Sequence, residues 1–577
     1  MNNQMITQAD YNMQMEMTLE GISEAGISQK HPKPLVFQPY TNRQSMMIID
    51  IESYIPEHHV ARLVDEMVES IPDELLFSHY VGGGRAPYHP KMLLKVILYA
   101  YTQKTYSSRS MKRMVEESLP AMWLAGMQKP DHRTINDFRG VRMPAIIEEV
   151  FEQFLLQLME QEFIDLEHMF VDGTKIEANA NKYSFVWGKA IANHDQKLRD
   201  KIQSLIKDVR AVTTQELRED KLEEQLAKTV EQLTEEVQAL EGQYEQTTDK
   251  EERKRLRMEK SKRKKHIQTI ETDYLPRLAR YEAQREILGE RGSYSKTDPD
   301  ATFMRMKDDH MKNGQLKAGY NVQVATQYQF IIGYELFQRP GDTRCFQPFM
   351  KQLLEALPKA PIQVIADAGY ASEENYLFAI GEEKEPLFEL LAPYNTYVKE
   401  QTKKYKQDIS KVQNWPYREE EDVFICPNNR KVIFKRYSQR KNTGGYEQDY
   451  KIYECEDCTD CPLKALCTKA KGNRQVHLNP VYEEMKAKAR AALDDEQKAA
   501  LYAKRKVDVE TVFGDIKGNR SFTRFLLRGL TKVRTEFGLV AIAHNLLKVA
   551  GIRLANLSQK EKGRFGKLLV FQIDLFI

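Results

Sequence analysis

The sequence lacks three features that would assign it to a class at once. Its formal net charge is only +2 over 577 residues, so a nucleic-acid surface would have to come from local clusters of basic residues. No apolar run is long enough to suggest a bilayer span. The first ten residues have neither the basic end nor the apolar core of a secretory signal. These absences favour a cytoplasmic protein without a membrane partner.

Cysteine is scarce too, and its placement is uneven. Of six cysteines, four fall in C-E-D-C-T-D-C-P-L-K-A-L-C, with another a short distance upstream. In a reducing compartment this clustering indicates a metal site rather than disulfides, and the spacing suits one tetrahedral zinc ion. The candidate ligands are Cys426, Cys455, Cys458, Cys461 and Cys467. Reduced, half-buried cysteines that bind no metal remain the alternative.

The length exceeds what one hydrophobic core can organise, so about three or four domains are expected. A hydrophobic content of 41% and a charged content of 29% suit a globular protein with a charged extension. The predicted segments are a flexible arm at 1–45, a helical N-terminal DNA-binding domain at 46–142, an α/β catalytic core at 143–192 and 293–400, a coiled-coil insertion at 193–292, a Cys-rich insertion at 401–480, and C-terminal helices of the core at 481–577.

Residues 46–142 have a helical pattern, with apolar stripes, a Gly/Pro turn and a serine in position to cap a helix. Several basic residues are expected on the surface of these helices, among them Arg133. Helices that enter a DNA groove and a plain helical bundle explain this pattern about equally well.

The coiled-coil insertion is predicted from apolar residues that alternate four and three apart between Leu226 and Tyr244. The segment Thr247–Lys250 can turn the chain, and a return helix follows in which Pro276 is expected to produce a kink. Together the two arms predict an antiparallel hairpin. The basic run Arg253–His266 could lie along DNA, although a solvated helix face is the commoner explanation.

The remaining segments around the insertion predict a mixed sheet. An apolar strand ends at Asp172, and a later β-rich run ends at Asp367. Between these two strands the pattern predicts strands at 319–326 and 330–337 and a helix at 345–357. After Asp367 it predicts a last strand at 387–392. This order is that of an RNase-H-like domain with a five-stranded sheet. Its first and fourth strands are neighbours, so Asp172 and Asp367 should face each other.

A late helical stretch, Tyr502 to Lys548, carries a third acid, Glu510, which shares one helix face with Lys517. Taken alone, this pattern favours an ion-paired surface helix over a metal-ligating carboxylate beside a surface that holds a phosphate backbone. Three carboxylates at one point repel each other unless cations lie between them. Oxygen ligands of this kind suit two Mg²⁺ or Mn²⁺ ions, which would act on a phosphodiester bond.

Several motifs together resemble the DDE transposases of bacterial insertion sequences that have an N-terminal helical transposase domain. The matching stretches are Y-H-P-K-M-L-L-K-V-I-L-Y-A-Y, P-D-H-R-T-I-N-D-F-R, F-V-D-G-T-K-I-E-A-N-A-N-K-Y, V-I-A-D-A-G-Y, V-E-T-V-F-G-D-I-K, R-F-L-L-R-G-L and A-I-A-H-N-L. The resemblance implies that Asp172, Asp367 and Glu510 form the catalytic triad and hold the metal ions.

The resemblance also implies where DNA is held. Relatives show a Tyr, an Arg, the Glu and a Lys in a fixed pattern, and here Glu510 and Lys517 keep its six-residue gap. Arg505 lies one residue further from Glu510 than usual, so Lys506 is an alternative for its role. The predicted phosphate contacts are Arg505, Lys506, Lys517, Arg520, Arg528 and Arg133.

The function expected from these features is cleavage at the ends of an insertion sequence and joining of those ends to target DNA. The expected partners are double-stranded DNA, namely the terminal inverted repeats and the target, and a second copy of the chain. Two other functions remain open: an RNase-H-like structure-specific nuclease without strand transfer, and a non-catalytic DNA-binding scaffold.

Overall fold

The structure, a computed structural model, describes residues 50–78, 80, 86–210, 222–306, 314–381, 386–442 and 444–573, and no side chains beyond residue 557. The predicted flexible arm at 1–45 lies outside these residues. From Ile51 onward the chain forms one unit.

Helices and strands alternate in the order expected for an α/β protein preceded by helices. The α-helices are α1 (Val60–Glu69), α2 (Asp73–Phe77), α3 (Pro90–Thr102), α4 (Ser108–Glu117), α5 (Leu119–Leu124), α6 (His132–Asp137), α7 (Ile147–Glu160), α8 (Gly188–Arg210), α9 (Leu222–Gln246), α10 (Lys250–Thr269), α11 (Leu275–Leu288), α12 (Phe346–Ala356), α13 (Glu373–Ile380), α14 (Tyr397–Glu400), α15 (Lys403–Lys406), α16 (Lys464–Cys467), α17 (Pro480–Asp494), α18 (Glu496–Gly514) and α19 (Leu530–Ile573). The strands are β1 (His168–Glu177), β2 (Phe185–Trp187), β3 (Ser293–Ser295), β4 (Thr302–Arg305), β5 (Leu316–Gln327), β6 (Phe330–Phe337), β7 (Gln363–Ala366), β8 (Glu389–Leu391), β9 (Tyr417–Arg418), β10 (Val423–Ile425), β11 (Lys431–Lys441), β12 (Glu447–Cys455) and β13 (Gln475–Leu478).

The N-terminal helices pack around α3, whose residues are all buried. Pro90 begins this helix, where a missing backbone N–H costs nothing. Two buried lysines would be expensive in such a helix without partners. Lys91 pairs with Asp73 at 2.9 Å, and Lys95 pairs with Asp65 at 2.5 Å, so both charges are compensated.

The main sheet places β1 at its centre. β1 pairs antiparallel with β5 and parallel with β7, and β7 pairs parallel with β8. Both β4 and β6 pair with the other side of β5, at opposite ends of that strand. The sheet therefore has six strands rather than the five predicted, because the short strand β4 was missed. The adjacency of the first and fourth predicted strands is confirmed.

The inserted helices α9 and α10 form the two arms expected from the sequence. Glu236 pairs with Arg263 at 2.5 Å and Glu241 with Lys260 at 2.5 Å, a pattern that requires antiparallel helices. The predicted seam residues Leu226 and Leu233 are buried. A π-helical turn, Ile270–Tyr274, separates α10 from α11, so the irregularity lies just before Pro276. The β2–β3 pair closes the base of this insertion.

A second sheet, of order β13-β12-β11-β10-β9, is formed by the Cys-rich segment. Its small core contains Trp415, Phe424, Val432 and Tyr453 together with three of the cysteines. The long hairpin β11–β12 extends out of this sheet and has a register shift between Phe434 and Arg436.

The C-terminal helices return to the main sheet. Val509 on α18 packs against Phe170, Ile365 and Leu391, so α18 covers one face of the sheet. Within the described residues, the window Leu530–Leu557 of α19 is long and apolar enough to span a membrane, which the sequence analysis had not expected. However, 61% of the apolar 18-residue stretch within it is buried inside the protein, as in a core helix.

Candidate functional site

Two acids lie at the same edge of the main sheet. Val171 of β1 pairs with Ala366 of β7 in a parallel register, and the next residue of each chain segment is Asp172 or Asp367. The backbones of neighbouring strands are about 4.8 Å apart. The sheet therefore brings Asp172 and Asp367 together, because parallel pairing fixes which residues are neighbours.

Asp172 is buried, with 7% of its surface exposed, and its charge is compensated. Arg505 of α18 donates to Asp172 Oδ2 from Nη1 at 3.2 Å, and the Gly173 backbone N–H donates to Oδ1 at 2.7 Å. Burial lowers the pKa of Arg505, but Asp172, Tyr502 and Asp367 together raise it by more, so the net shift is upward. The guanidinium therefore remains charged in this arrangement.

Asp367 is half-buried at the end of β7 and begins a tight turn. Its Oδ1 accepts the backbone N–H of Gly369 at 2.7 Å. A Cβ added to Gly369 would lie 2.9 Å from the same oxygen, closer than real contacts allow. The glycine of the D-A-G-Y motif is therefore explained by the close approach of the carboxylate to the turn.

A buried polar network supports the sheet behind this edge. Tyr370 donates from its hydroxyl to Gln323 Oε1 at 2.5 Å, and Gln323 donates in turn to Asp342 Oδ1 at 3.1 Å. Asn321 also donates to Asp342, at 2.8 Å. Burial raises the pKa of Tyr370 well above its usual value, and Asp172 contributes to the rise. The tyrosine therefore stays protonated and acts as a fixed donor.

Gly173 lies against this network. A Cβ on Gly173 would be 2.3 Å from Gln323 Nε2 and 2.6 Å from Asp342 Oδ1. The residue after the first aspartate must therefore be glycine for the network to reach the strand. Asn321, Gln323 and Asp342 were not among the site residues predicted from the sequence. The alternating polar residues of N-V-Q-V, in a strand that turns out to be buried on both faces, were the available signal.

Helix α18 presents Tyr502 and Arg505, rather than Glu510, toward the two aspartates. Burial raises the pKa of Tyr502, Arg505 lowers it, and the charges of Asp367 and Asp172 raise it further. Glu510 lies on the exposed side of α18. It follows Arg505 by five residues, which corresponds to a rotation of about 140° around the helix.

Asp508 is a second acid of α18, and it is bonded inside the protein. It accepts the Thr326 hydroxyl at 2.6 Å and the Gln329 backbone N–H at 3.0 Å. Burial raises its pKa, although both hydrogen bonds act in the opposite direction. These contacts anchor α18 to the β5–β6 turn and help to fix its rotation.

Across the described ranges, no three histidine, cysteine or acidic side chains are gathered in a way that could hold a metal ion. Two adjacent carboxylates provide oxygen ligands of the type that Mg²⁺ and Mn²⁺ prefer. Asp172 and Asp367 therefore fit part of a divalent-metal site, while Glu510 does not complete it in this structure.

The predicted phosphate contacts fall into two groups. Lys506, Arg528 and Arg133 are exposed, and Lys517 is half-buried. Arg520 is instead 7% exposed and donates to Asp515 and to the backbone carbonyl oxygens of Tyr101 and Thr102. Its guanidinium joins the end of α18 to the N-terminal helices, so its donors face protein groups.

Five cysteines lie around one cavity of the second sheet, although no three of them are gathered closely enough to hold a metal ion in this arrangement. Cys426, Cys455, Cys458, Cys461 and Cys467 line one small cavity of about 20 Å³. Backbone N–H groups of Arg430 and Arg474 point at Cys426 Sγ, at 3.4 Å, and Cys458 Sγ, at 3.5 Å. Burial, together with Cys458 and Cys426, raises the pKa of Cys455 to about 12.

Comparison with known proteins gives two matches. A family described as a transposase DDE domain matches residues 425–550, and a family described as a transposase domain (DUF772) matches residues 49–140. Glu510 lies within the first match, whereas Asp172 and Asp367 lie in the unmatched central part. No curated protein and no solved structure matches the chain. The two family matches confirm the resemblance drawn from the sequence motifs.

Proposed function

We propose that this chain, in which transposase families match both the N-terminal and the C-terminal regions, is an insertion-sequence DDE transposase that cuts the ends of its element and joins them to target DNA. The observation that supports this most is the placement of Asp172 and Asp367 on adjacent parallel strands. Paired carboxylates at a strand edge are suited to divalent-ion chemistry on a phosphodiester bond.

The catalytic core would be an RNase-H-like domain. Five strands of the main sheet support this assignment through their order, β6-β5-β1-β7-β8, and their directions. The first three strands along the chain pair antiparallel, and the last two join the first in parallel. A helix that packs across the sheet, α18, completes the arrangement. The inserted hairpin of helices and the second sheet would then be additions to this core.

Asp172, Asp367 and Glu510 would hold two divalent ions, Mg²⁺ or Mn²⁺. When bound, such ions stabilise the charge on the attacking and leaving oxygens of a phosphoryl transfer. Glu510 would join the aspartates if α18 turned by about 140°, the angle between Arg505 and Glu510 on the helix. That turn would replace the face of Tyr502 and Arg505 by the face of Lys506 and Glu510. Displacement of Arg505 from Asp172 would therefore accompany assembly of the site.

The positive side chains around the aspartates would position the DNA. Arg505 would transfer from Asp172 to a phosphate oxygen, since a guanidinium binds either group by the same fork of donors. Lys506 and Lys517 would hold phosphates beside the cleaved bond. Arg528 and Arg133 are exposed and could reach the flanking duplex. Arg520 would act indirectly, by fixing the end of α18.

The substrate would be a pair of terminal inverted repeats, and a homodimer would hold one repeat at each catalytic site. The protein would act on DNA in the cytoplasm, associated with the nucleoid. The test is a reaction of purified protein with Mg²⁺, a labelled fragment that contains the DNA flanking its gene, and a supercoiled target. The proposal predicts cut ends and a product in which the label is joined to the target.

Each rival function predicts a different outcome of the same reaction. A structure-specific nuclease of this fold would release cut ends but would never produce joined DNA. A non-catalytic scaffold would bind the fragment and leave it intact at every Mg²⁺ concentration. Joined product therefore excludes both rivals, and its absence together with efficient cleavage favours the nuclease.

We also propose that the cysteine cluster holds a structural zinc ion. The proposal is supported by the five thiols around one small cavity and by the two backbone N–H groups directed at sulfur. A small sheet with so few apolar residues would gain stability from a metal. Elemental analysis of the purified protein should find one zinc per chain, and Cys455→Ser and Cys458→Ser should lose it. Cys345→Ser, in the main core, should retain it. Absence of zinc from the wild-type protein would contradict the proposal.

A further inference from the structure

The β11–β12 hairpin exposes an unusual combination of side chains. Beyond the register shift, Tyr437 is 72% exposed, and its ring meets Phe434 with 4.9 Å between centroids. Arg436 and Arg440 are exposed on the same strand. Because side chains alternate along a strand, Arg436 and Arg440 share one face and Tyr437 lies on the other. Stability explains these exposed side chains poorly, because neither the ring nor the charges gain much from burial.

The two arginines differ from the other cations of the hairpin in their partners. Lys431, Lys435 and Lys441 each pair with a glutamate: Glu421, Glu454 and Glu447, respectively. In the part of the chain that the structure describes, the Arg436 side chain makes no ion pair or hydrogen bond. Arg440 contacts an imidazole, that of His477, and the ring of Tyr450, at 5.1 Å. Neither guanidinium is therefore neutralised by an acid.

The positive field of these arginines is visible at His477, on the neighbouring strand β13. Burial lowers the pKa of this histidine, and Arg440, Arg436 and Arg474 lower it further. Three guanidinium groups around one imidazole form a cationic patch. Such a patch attracts a polyanion and disfavours a basic or apolar protein surface.

The position of the hairpin connects this patch to the two aspartates. At its tip, Gln448 donates to Glu373 at 2.6 Å, and Gly444 lies beside the guanidinium of Arg344. Glu373 begins α13, six residues after Asp367. The hairpin therefore reaches from the cysteine cluster, at the end of β12, to the edge of the main sheet.

The dimensions of this element suit a nucleic acid. Between its tip and the part paired with β13, the hairpin is a ribbon of two strands only, Ser438–Lys441 and Glu447–Tyr450. Arg440 lies in this ribbon, and Arg436 and Tyr437 lie where β13 joins it. A two-stranded ribbon fits the major groove of a duplex. Arginines bind phosphate oxygens through paired donors, and a tyrosine ring can stack on a base.

We propose that the β11–β12 hairpin is a DNA-binding ribbon that holds the duplex next to the Asp172 and Asp367 edge. From one face of the hairpin Arg436 and Arg440 bind backbone phosphates, and from the other face Tyr437 packs against a base or sugar. This inference rests on the proposed function, since it names the surface that holds the DNA on which the aspartates act. A second copy of the chain is the other occupant to be tested.

The experiment measures binding of the full-length protein to a labelled duplex taken from the DNA beside its gene. Fluorescence anisotropy is recorded over a series of KCl concentrations. Arg436→Gln and Arg440→Gln are compared with Arg418→Gln, a control in the same sheet whose arginine is exposed and paired with Glu421. Tyr437→Ala is compared with Tyr417→Ala, since Tyr417 is 42% exposed and lies in the same sheet outside the β11–β12 hairpin.

Each arginine variant should reduce the slope of log affinity against log salt by about one, because one phosphate contact is lost. Tyr437→Ala should weaken binding about tenfold with little change of slope, as expected for a stacked ring. Both controls should behave as the wild-type protein. Unchanged thermal unfolding of the variants would show that the sheet remains folded.

Two results would overturn the inference. Variants that bind DNA with wild-type affinity and slope would exclude the hairpin, while metal-dependent cleavage by the wild-type protein would leave the proposed function intact. Variants that change the sedimentation of the protein but not its DNA binding would identify the patch as a contact between copies. Failure of the wild-type protein to bind any DNA would refute both proposals.

Discussion

The sheet edge that carries Asp172 and Asp367 and the helix that carries Glu510 were predicted from the same motifs, yet the structure places them differently. The two aspartates are neighbours because β1 and β7 pair in parallel with a defined register. Glu510 lies on the exposed side of α18, while Arg505 of the same helix reaches Asp172 at 3.2 Å. One prediction depended on backbone pairing and the other on the rotation of a helix.

The difference shows what a motif specifies. A strand has a period of two, so the buried apolar residues fix which side chains share a face. A helix offers several faces, and a motif at spacings of three, four and seven defines a face without stating where it points. Helix α18 has two such faces. One carries Arg505 and Val509, and the other carries the residues that follow them, Lys506 and Glu510. The buried Val509 selects the first face in this structure.

Among the variants that test this difference, Glu510→Gln should have the largest effect on DNA cleavage. If the active protein uses this acid, cleavage of DNA ends should fall by about a thousandfold or more. Because Glu510 is exposed, the thermal unfolding of the variant should be unchanged. End cleavage in Mg²⁺ and calorimetry together provide the measurement.

A matched control is available in Glu290→Gln, at a side chain that is 83% exposed and far from the aspartates in sequence. This variant should cleave as the wild-type protein does. If Glu510→Gln also cleaves at the wild-type rate, the sheet edge acts without this glutamate, and the helix face seen in the structure is the working one.

Arg505→Ala should lower the free energy of unfolding by about 3 kcal/mol, because Asp172 would be left buried without its partner. Denaturant unfolding followed by circular dichroism measures this change. Arg505→Lys keeps a charge but loses the fork of donors, so it should recover only part of the stability. A variant as stable as the wild-type protein would show that the ion pair contributes nothing.

Gly173→Ala tests the network behind the sheet edge. The added methyl group would overlap Gln323 and Asp342, so the free energy of unfolding should fall by about 2 kcal/mol. Gly140→Ala is a control, since nothing lies within 4 Å of a Cβ at that position. Equal stability of the two variants would contradict the packing described for Gly173.

The smallest effect concerns Asp515, next to the end of α18. Its carboxylate accepts hydrogen bonds from His544 Nδ1, at 2.9 Å, and from Arg520 Nε, at 2.8 Å. Burial raises the pKa of Asp515, but these two partners lower it by more, to well below its usual 3.8. A carboxyl group whose pKa is lower in the folded state stabilises the protein above the unfolded pKa.

This contribution should be present at neutral pH and should be lost progressively as the pH falls below about 4. Asp515→Asn should therefore be less stable at pH 7, by about 2 kcal/mol, and should lose less stability on acidification. Urea unfolding at several pH values between about 3 and 7 measures both the stability at neutral pH and its loss on acidification. Parallel curves for the variant and the wild-type protein would contradict the assignment.

Much of the fold was predictable because its signals are local. The strands before and after Tyr328 alternate at period two, and the acids at the ends of β1 and β7 follow apolar runs. The two helical arms of the insertion were also predicted from their apolar spacing. The short strand β4 was missed, because four residues provide too little pattern.

The rest of the site depends on contacts between distant parts of the chain. Arg520 was predicted to bind phosphate, and its basic neighbours gave no sign that its donors would meet the carbonyl oxygens of Tyr101 and Thr102. The same holds for Asp508, which bonds the β5–β6 turn. Such partners are set by the packing of helices on the sheet, and single-sequence patterns do not contain that information.

The pairing of Asp172 with Asp367 is central to the proposed catalysis, and one comparison tests it directly. Wild-type protein and the Asp367→Asn variant are incubated with Mg²⁺ and labelled DNA that carries the ends of the element, and both cleavage and binding are measured. If the two aspartates form the catalytic site, the variant should bind this DNA as tightly as the wild-type protein and cut none of it. Cleavage by the variant at the wild-type rate would contradict this assignment.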